Sequence, residues 1–194
     1  MILTESNSQN IFWDSCVVTR YITESPMDYV GDIGQFITEA RQGKRKIWIS
    51  TLLYAEVRPS QLSRKGFLSI LDMINALEGA FFPIVPTPPI LLRAARLRDP
   101  MFHRAKPQKG EKDRVLTVPD SIHLATCLHL KEEMGITDIE FHAFDDGRGR
   151  NYEEKAVSLL RFNEYATHLM SDPDIVAVCS LRKMRPEHTE PTIL

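Results

Sequence analysis

Four carboxylates interrupt stretches that are otherwise apolar: Asp14 in IFWDSCVV, Glu56 in LLYAEV, Asp120 at the head of PDSIHLATCLHL and Asp145 at the end of FHAF. Charged side chains are rare in such runs because an unpaired charge is costly to bury. No obvious cation stands immediately beside each of them, so either distant Lys and Arg neutralise them separately or they converge on a shared positive charge. A divalent metal is the simplest such charge. Hard oxygen donors without His or Cys favour Mg²⁺ or Mn²⁺ over Zn²⁺. A centre of that kind suits phosphodiester hydrolysis, because the metal orients the phosphate, activates a bound water and offsets charge on the attacking and leaving oxygens. For Asp120 taken alone a helix cap is the plain alternative: Pro119 breaks what precedes, Asp120 or Ser121 accepts from the first-turn amides, and Leu124, Ala125 and Leu128 face the core.

The elements that must position these acids follow from periodicity. Residues 10–18 read as a short apolar strand ending near Asp14 or a few residues later. Val30, Ile33, Ile37 and Ala40, with Phe36 alongside, recur at helical spacing, and Gly43 suits the stop. Residues 47–49 are a second strand, after which Ser50 or Thr51 caps TLLYAEV, with Glu56 about one and a half turns in. Pro59 and Ser60 end that helix, and Phe67, Ile70, Leu71, Ile74 and Leu77 mark the next. Residues 81–85 make a third strand, and PTPP leads into a helix over 90–97 carrying Arg93, Arg96 and Arg98. Residues 99–118 are polar, mostly basic and without period, so they read as a long loop before the Asp120 helix. Gly135 separates that helix from a fourth strand over 139–144, which ends at Asp145. Helix returns around 153–160 and 162–170. Residues 175–181 suit an edge strand or a short helix, and 182–194 read as a polar tail.

Strand, helix and strand in alternation imply a parallel sheet covered on both faces by helices. Ligands bind such sheets outside the carboxyl ends of the strands. Asp14 and Asp145 fall near two of those ends, and Glu56 and Asp120 fall early in helices that follow connections from that side, so the four can meet. Gathered without a cation, they oppose one another's ionisation.

The chain of 194 residues is 43% hydrophobic, enough for one domain with a sizeable core. A net charge of −2 gives no global attraction to nucleic acid, so contact with a polyanion has to use local basic patches. Cys16, Cys127 and Cys179 are odd in number, widely spaced and set in apolar sequence, which suggests reduced thiols and a cytoplasmic protein. Glu5 precedes any apolar run, there is no cationic leader, and no apolar stretch is long enough to span a bilayer, so no membrane association is expected.

The ordered set WDSCVV, LLYAEV, PDSIHLATCL and FHAFDD resembles the four acidic motifs of the PIN-domain family, over roughly residues 10–150. The resemblance implies a three-layer α/β/α fold with a central, mainly parallel sheet. It also implies a Mg²⁺- or Mn²⁺-dependent endoribonuclease acting on RNA, often the toxin of a toxin–antitoxin pair, with an antitoxin protein and a homodimer among the expected partners. Carried over position by position, Asp14, Glu56, Asp120 and Asp145 are the metal-binding, catalytic acids. Ser15, a small hydroxyl following the first acid, hydrogen-bonds a ligand or water. Asp146 is either a turn residue or a further ligand. Residues 10–150 then form the nuclease domain, and 151–194 a C-terminal extension packing on the same domain. The alternative is a catalytically silent PIN-like module that binds RNA or protein.

Other residues were weighed against simpler roles. His123 and Cys127 have the spacing of a zinc pair, but two ligands fall short of the four a structural site takes and both side chains suit a buried helix; His123 can instead orient a neighbouring acid. No strand-turn-helix nucleophile motif surrounds any Ser, and GDIG at 31–34 lies inside a helical pattern and lacks the Lys of a phosphate loop. The cluster Arg41, Lys44, Arg45 and Lys46 suits a solvated helix end. Arg104, Lys106, Lys109, Lys112 and Arg114 in the 99–118 loop suit either RNA-backbone contact or a solvated insertion.

Overall fold

A computed structural model describes residues 9–104, 115–146 and 156–188 of the chain. Its central strand, β1 (Gln9–Trp13), sends Ile11 and Trp13 into one core and Phe12 into another, as the two-residue period of a strand requires. β2 (Arg45–Ser50) and β4 (Glu140–His142) flank it, β3 (Phe81–Ile84) pairs with β2, and β5 (Arg182–Met184) pairs with β4. All five strands are parallel, in the order β3-β2-β1-β4-β5.

Parallel neighbours cannot be joined by tight turns, so the connections carry helices and cover both faces. On one face lie α1 (Ser15–Thr23), α2 (Val30–Arg41), the single-turn α3 (Leu53–Glu56), a 3-10 segment (Pro59–Lys65) and α4 (Ile70–Ala76), whose Val17, Ile33, Leu53, Leu62 and Met73 meet Ile11, Trp13, Ile47 and Ile49. On the other lie α5 (Pro88–Arg104), α6 (Val118–Glu132), α7 (Phe162–Tyr165) and α8 (Pro173–Cys179), packed over Phe12 and Phe141, whose rings stack at 5.5 Å. The result is the three-layer α/β/α architecture. Among the described residues no helix is long and apolar enough to cross a membrane.

Several boundaries differ from those the sequence suggests. The first strand stops at Trp13 and residues 15–18 are helical, because Asp14 caps α1 by accepting from the Cys16 amide at 3.0 Å. Residues 99–104, expected as loop, continue α5; 105–114 and 147–155 lie outside the described residues. Of the helix expected over 153–160, the described part is not helical: Ala156 bridges Val115, and Leu159 and Leu160 donate their amides to Asp145. The helix expected over 162–170 is confined to the single turn of α7. Residues 175–181 fall mainly in a helix, α8, capped by Asp172. Arg182–Met184, expected in a polar tail, form the edge strand, and Val157, Leu159, Phe162 and Ile175 complete one core.

Candidate active site

The strand order reverses at β1: β2 and β3 build outward on one side, β4 and β5 on the other. A crevice opens at such a switch point, beyond the carboxyl ends of the adjacent strands. Asp14 directly follows β1 and Asp145 lies just past β4, with the Asp14 amide bonded to the His142 carbonyl at 3.0 Å. α3, which follows β2, brings Glu56, and the N-terminal turn of α6 brings Asp120. All four acids line a single cleft of about 590 Å³, together with Ser15 and Asp146.

One oxygen of each expected acid is engaged. Asp14 Oδ2 caps α1, while its Oδ1 is buried without a hydrogen-bond partner. Asp120 is the third residue of α6: the helix is capped by Thr117, not by Asp120 or Ser121, and the Thr117 hydroxyl both accepts from the Asp120 amide and donates to its carboxylate. Asp145 Oδ2 accepts from the Leu159 amide at 2.9 Å. Glu56 closes a single helical turn, earlier than a longer helix would place it, and its Oε2 is 2.7 Å from His123 Nε2. Asp146 is paired with Arg185 at 2.5 Å, so part of its charge is met by the chain itself.

The electrostatics follow from this crowding. Burial, then the charge of Asp14 and that of Asp145, push the Asp120 carboxyl up to about 7, against the pull of the Thr117 hydroxyl and His123. Burial opposes charge on His123, but its bond to Glu56 and the negative charges of Asp14, Glu56 and Asp120 prevail and raise its pKa. Burial and the neighbouring Asp14 raise the Cys16 thiol well above its usual value, so this cleft residue stays a protonated thiol rather than a nucleophile.

The donor chemistry fits a hard divalent cation: oxygens only at the four acids, one of them an orphaned buried Oδ1, and one carboxyl whose ionisation burial and its acidic neighbours oppose. The gathering is incomplete, since among the described residues no group of three or more His, Cys, Asp or Glu is arranged to hold a metal ion. Glu56 in particular is drawn to His123. His123 and Cys127 are both fully buried on α6, and among the described residues no further His, Cys, Asp or Glu completes a metal-holding group with them.

Sequence reasoning did not single out Arg20, Tyr29, Phe144, Thr117 or Arg185, all of which line the cleft. Phe144 and Thr117 stand beside predicted acids and were within reach of the motifs. Arg185, read as tail, carries no local signal. The expected RNA contacts at Lys106, Lys109, Lys112 and Arg114 fall outside the described residues, and Arg104 ends α5. No protein-family model matches the chain, and no curated protein matches it in sequence.

Proposed function

We propose that the cleft is a Mg²⁺- or Mn²⁺-dependent centre for hydrolysis of internal RNA phosphodiester bonds. The observation that carries this reading is the convergence of Asp14, Glu56, Asp120 and Asp145, from four distant segments, on one cleft at the switch point of the sheet. Without a cation such a cluster is electrostatically unfavourable: burial first, and then the charges of Asp14 and Asp145, raise the Asp120 carboxyl.

In this reading Asp14, Asp120 and Asp145 hold the cation, each fixed by the oxygen that the fold already uses. When bound, the cation supplies an acidified water and charge compensation for the phosphate. His123 orients Glu56 by the hydrogen bond between them.

One observation favours a silent binding module instead: Glu56 is bound to His123 and Asp146 to Arg185, so part of the acidic charge is offset by the chain itself. A Mn²⁺ titration followed by melting temperature separates the two readings. A ligand held only by the folded state stabilises it by about 2.7 kcal/mol at a hundredfold excess over Kd, so the melting point rises with concentration. Wild type is expected to melt higher with Mn²⁺ and to cleave RNA, and Asp14→Asn and Asp145→Asn to lose both. Full cleavage in both variants rejects the nuclease reading; no melting shift and no cleavage across a wide RNA panel supports the module.

A further inference from the structure

We propose that Arg20 and Arg185 form a subsite of the same cleft for a backbone phosphate of single-stranded RNA, walled by Tyr29 and Phe144. The inference rests on the nuclease reading and names where its substrate is held.

The two arginines are the basic residues among the described residues that line the cleft, against six acids: Asp14, Asp28, Glu56, Asp120, Asp145 and Asp146. A polyanion entering such a space needs local cations. The Arg20 guanidinium carbon sits over the ring of Phe144, 3.6 Å from its centroid, and Arg185 Nη2 is 2.5 Å from Asp146. Phe144 and Asp146 are the residues before and after Asp145, so each cation is held by an immediate sequence neighbour of that acid.

Arg20 makes no ion pair with a carboxylate among the described residues; it lies over the face of Phe144 and, at 6.0 Å, Tyr29, near enough to Asp28 and Arg185 to feel the charge of both. A guanidinium held by ring faces keeps its in-plane donors for another partner, and their fork matches phosphate. Arg185 donates to Asp146 and also bonds the Tyr29 hydroxyl, and the five N–H donors of a guanidinium leave others for a further partner. The rings of Tyr29 and Phe144 are 5.3 Å apart. Tyr29 holds a left-handed backbone, φ 66°, a cost for a non-glycine residue that tends to persist at binding sites. Its hydroxyl donates to Glu187 at 3.1 Å, tying the wall to the segment that carries Arg185. Guanidinium beside aromatic faces is the surface on which unpaired nucleotides are held, with bases stacking where duplex would not fit.

The test is binding of a short fluorescent oligouridylate in chelator, followed by anisotropy across a range of NaCl, for wild type, Arg20→Gln, Arg185→Gln and Arg20→Lys. Each Gln variant is expected to bind several-fold more weakly and to lower the slope of log K against log salt by about 0.7, the share of one phosphate contact on a single strand. Arg20→Lys keeps the charge and is expected to keep the slope. Melting curves with Mn²⁺ should match wild type in all three, since neither arginine is a proposed metal ligand. Wild type failing to bind, or both Gln variants binding with the wild-type slope, overturns the subsite. A wild type that neither melts higher with Mn²⁺ nor cleaves RNA, yet shows the slope difference, rejects the nuclease reading and keeps the subsite.

Discussion

His123 Nε2 is 2.7 Å from Glu56 Oε2, a bond that joins α6 to α3 across 67 positions of sequence. The imidazole is fully buried, and the same nitrogen lies 4.0 Å from Asp14 Oδ1. Two acids of the cleft and the buried ring beneath them are therefore one electrostatic unit, with a protonatable imidazole between Asp14 and Glu56.

Removing the ring should cost stability as well as alignment. His123→Ala forfeits a hydrogen bond to a charged group, about 1.5–3 kcal/mol, and leaves a hole in a closed interior. We expect urea denaturation to report a loss of about 2–4 kcal/mol, with His123→Gln, which restores an N–H at similar reach, recovering part of it. An Ala variant as stable as wild type would show that the link contributes nothing to the fold.

Asp120 makes the metal-free protein sensitive to pH in a defined direction. Its folded carboxyl titrates near 7, above the value of about 4 in an unfolded chain. The folded state therefore binds the extra proton, and the contribution is full below about pH 4 and is lost as pH rises through about 7. The window amounts to at most about 4 kcal/mol. In chelator, Asp120→Asn should flatten that fall, and the difference between the two stability curves should open between those pH values. A cation must displace the same proton, so Mn²⁺ affinity in wild type should strengthen as pH rises through 7. Parallel curves for the two proteins would remove Asp120 as the source.

The acids were legible because each conflicts with its own neighbours: a carboxylate among Ile, Trp, Leu and Phe asks for a reason. Their ordering on strand ends followed from alternation, and the sheet bears it out at Asp14 and Asp145. The partners were not legible, because Arg185 meets Asp146 across 39 positions and no periodicity encodes that distance. Val17 and Val18 suit a strand as well as a helix, so the run from Ile11 gave no sign of the break that the Asp14 cap makes. β5 was hidden by its function as an edge: Arg182 and Lys183 keep an outer strand from pairing further, and they look like tail for the same reason.

The opposite end of the sheet offers the last prediction. Glu140 on β4 is buried, yet it accepts from Gln9 at 2.8 Å and from Arg182 at 2.5 Å and lies 3.3 Å from His142, so one carboxylate links β1, β4 and β5. The hydrogen bond with His142, opposed by burial and aided by Arg182, holds its pKa below the usual carboxylate value. A depressed folded pKa gives stability that is present above the unfolded value and lost as pH falls through the folded one. Arg182 is largely exposed, so its share is screened and small. The larger cost of Glu140→Ala comes from the buried His142 and Gln9 left without their acceptor, about 1–3 kcal/mol. We expect that gap between wild type and variant in denaturant melts at neutral pH, and expect it to narrow as both are acidified from the ordinary carboxylate range down through the depressed pKa of folded Glu140, where the wild type loses what the variant never had. A gap that stays constant on acidification would assign the loss to packing rather than to the charge.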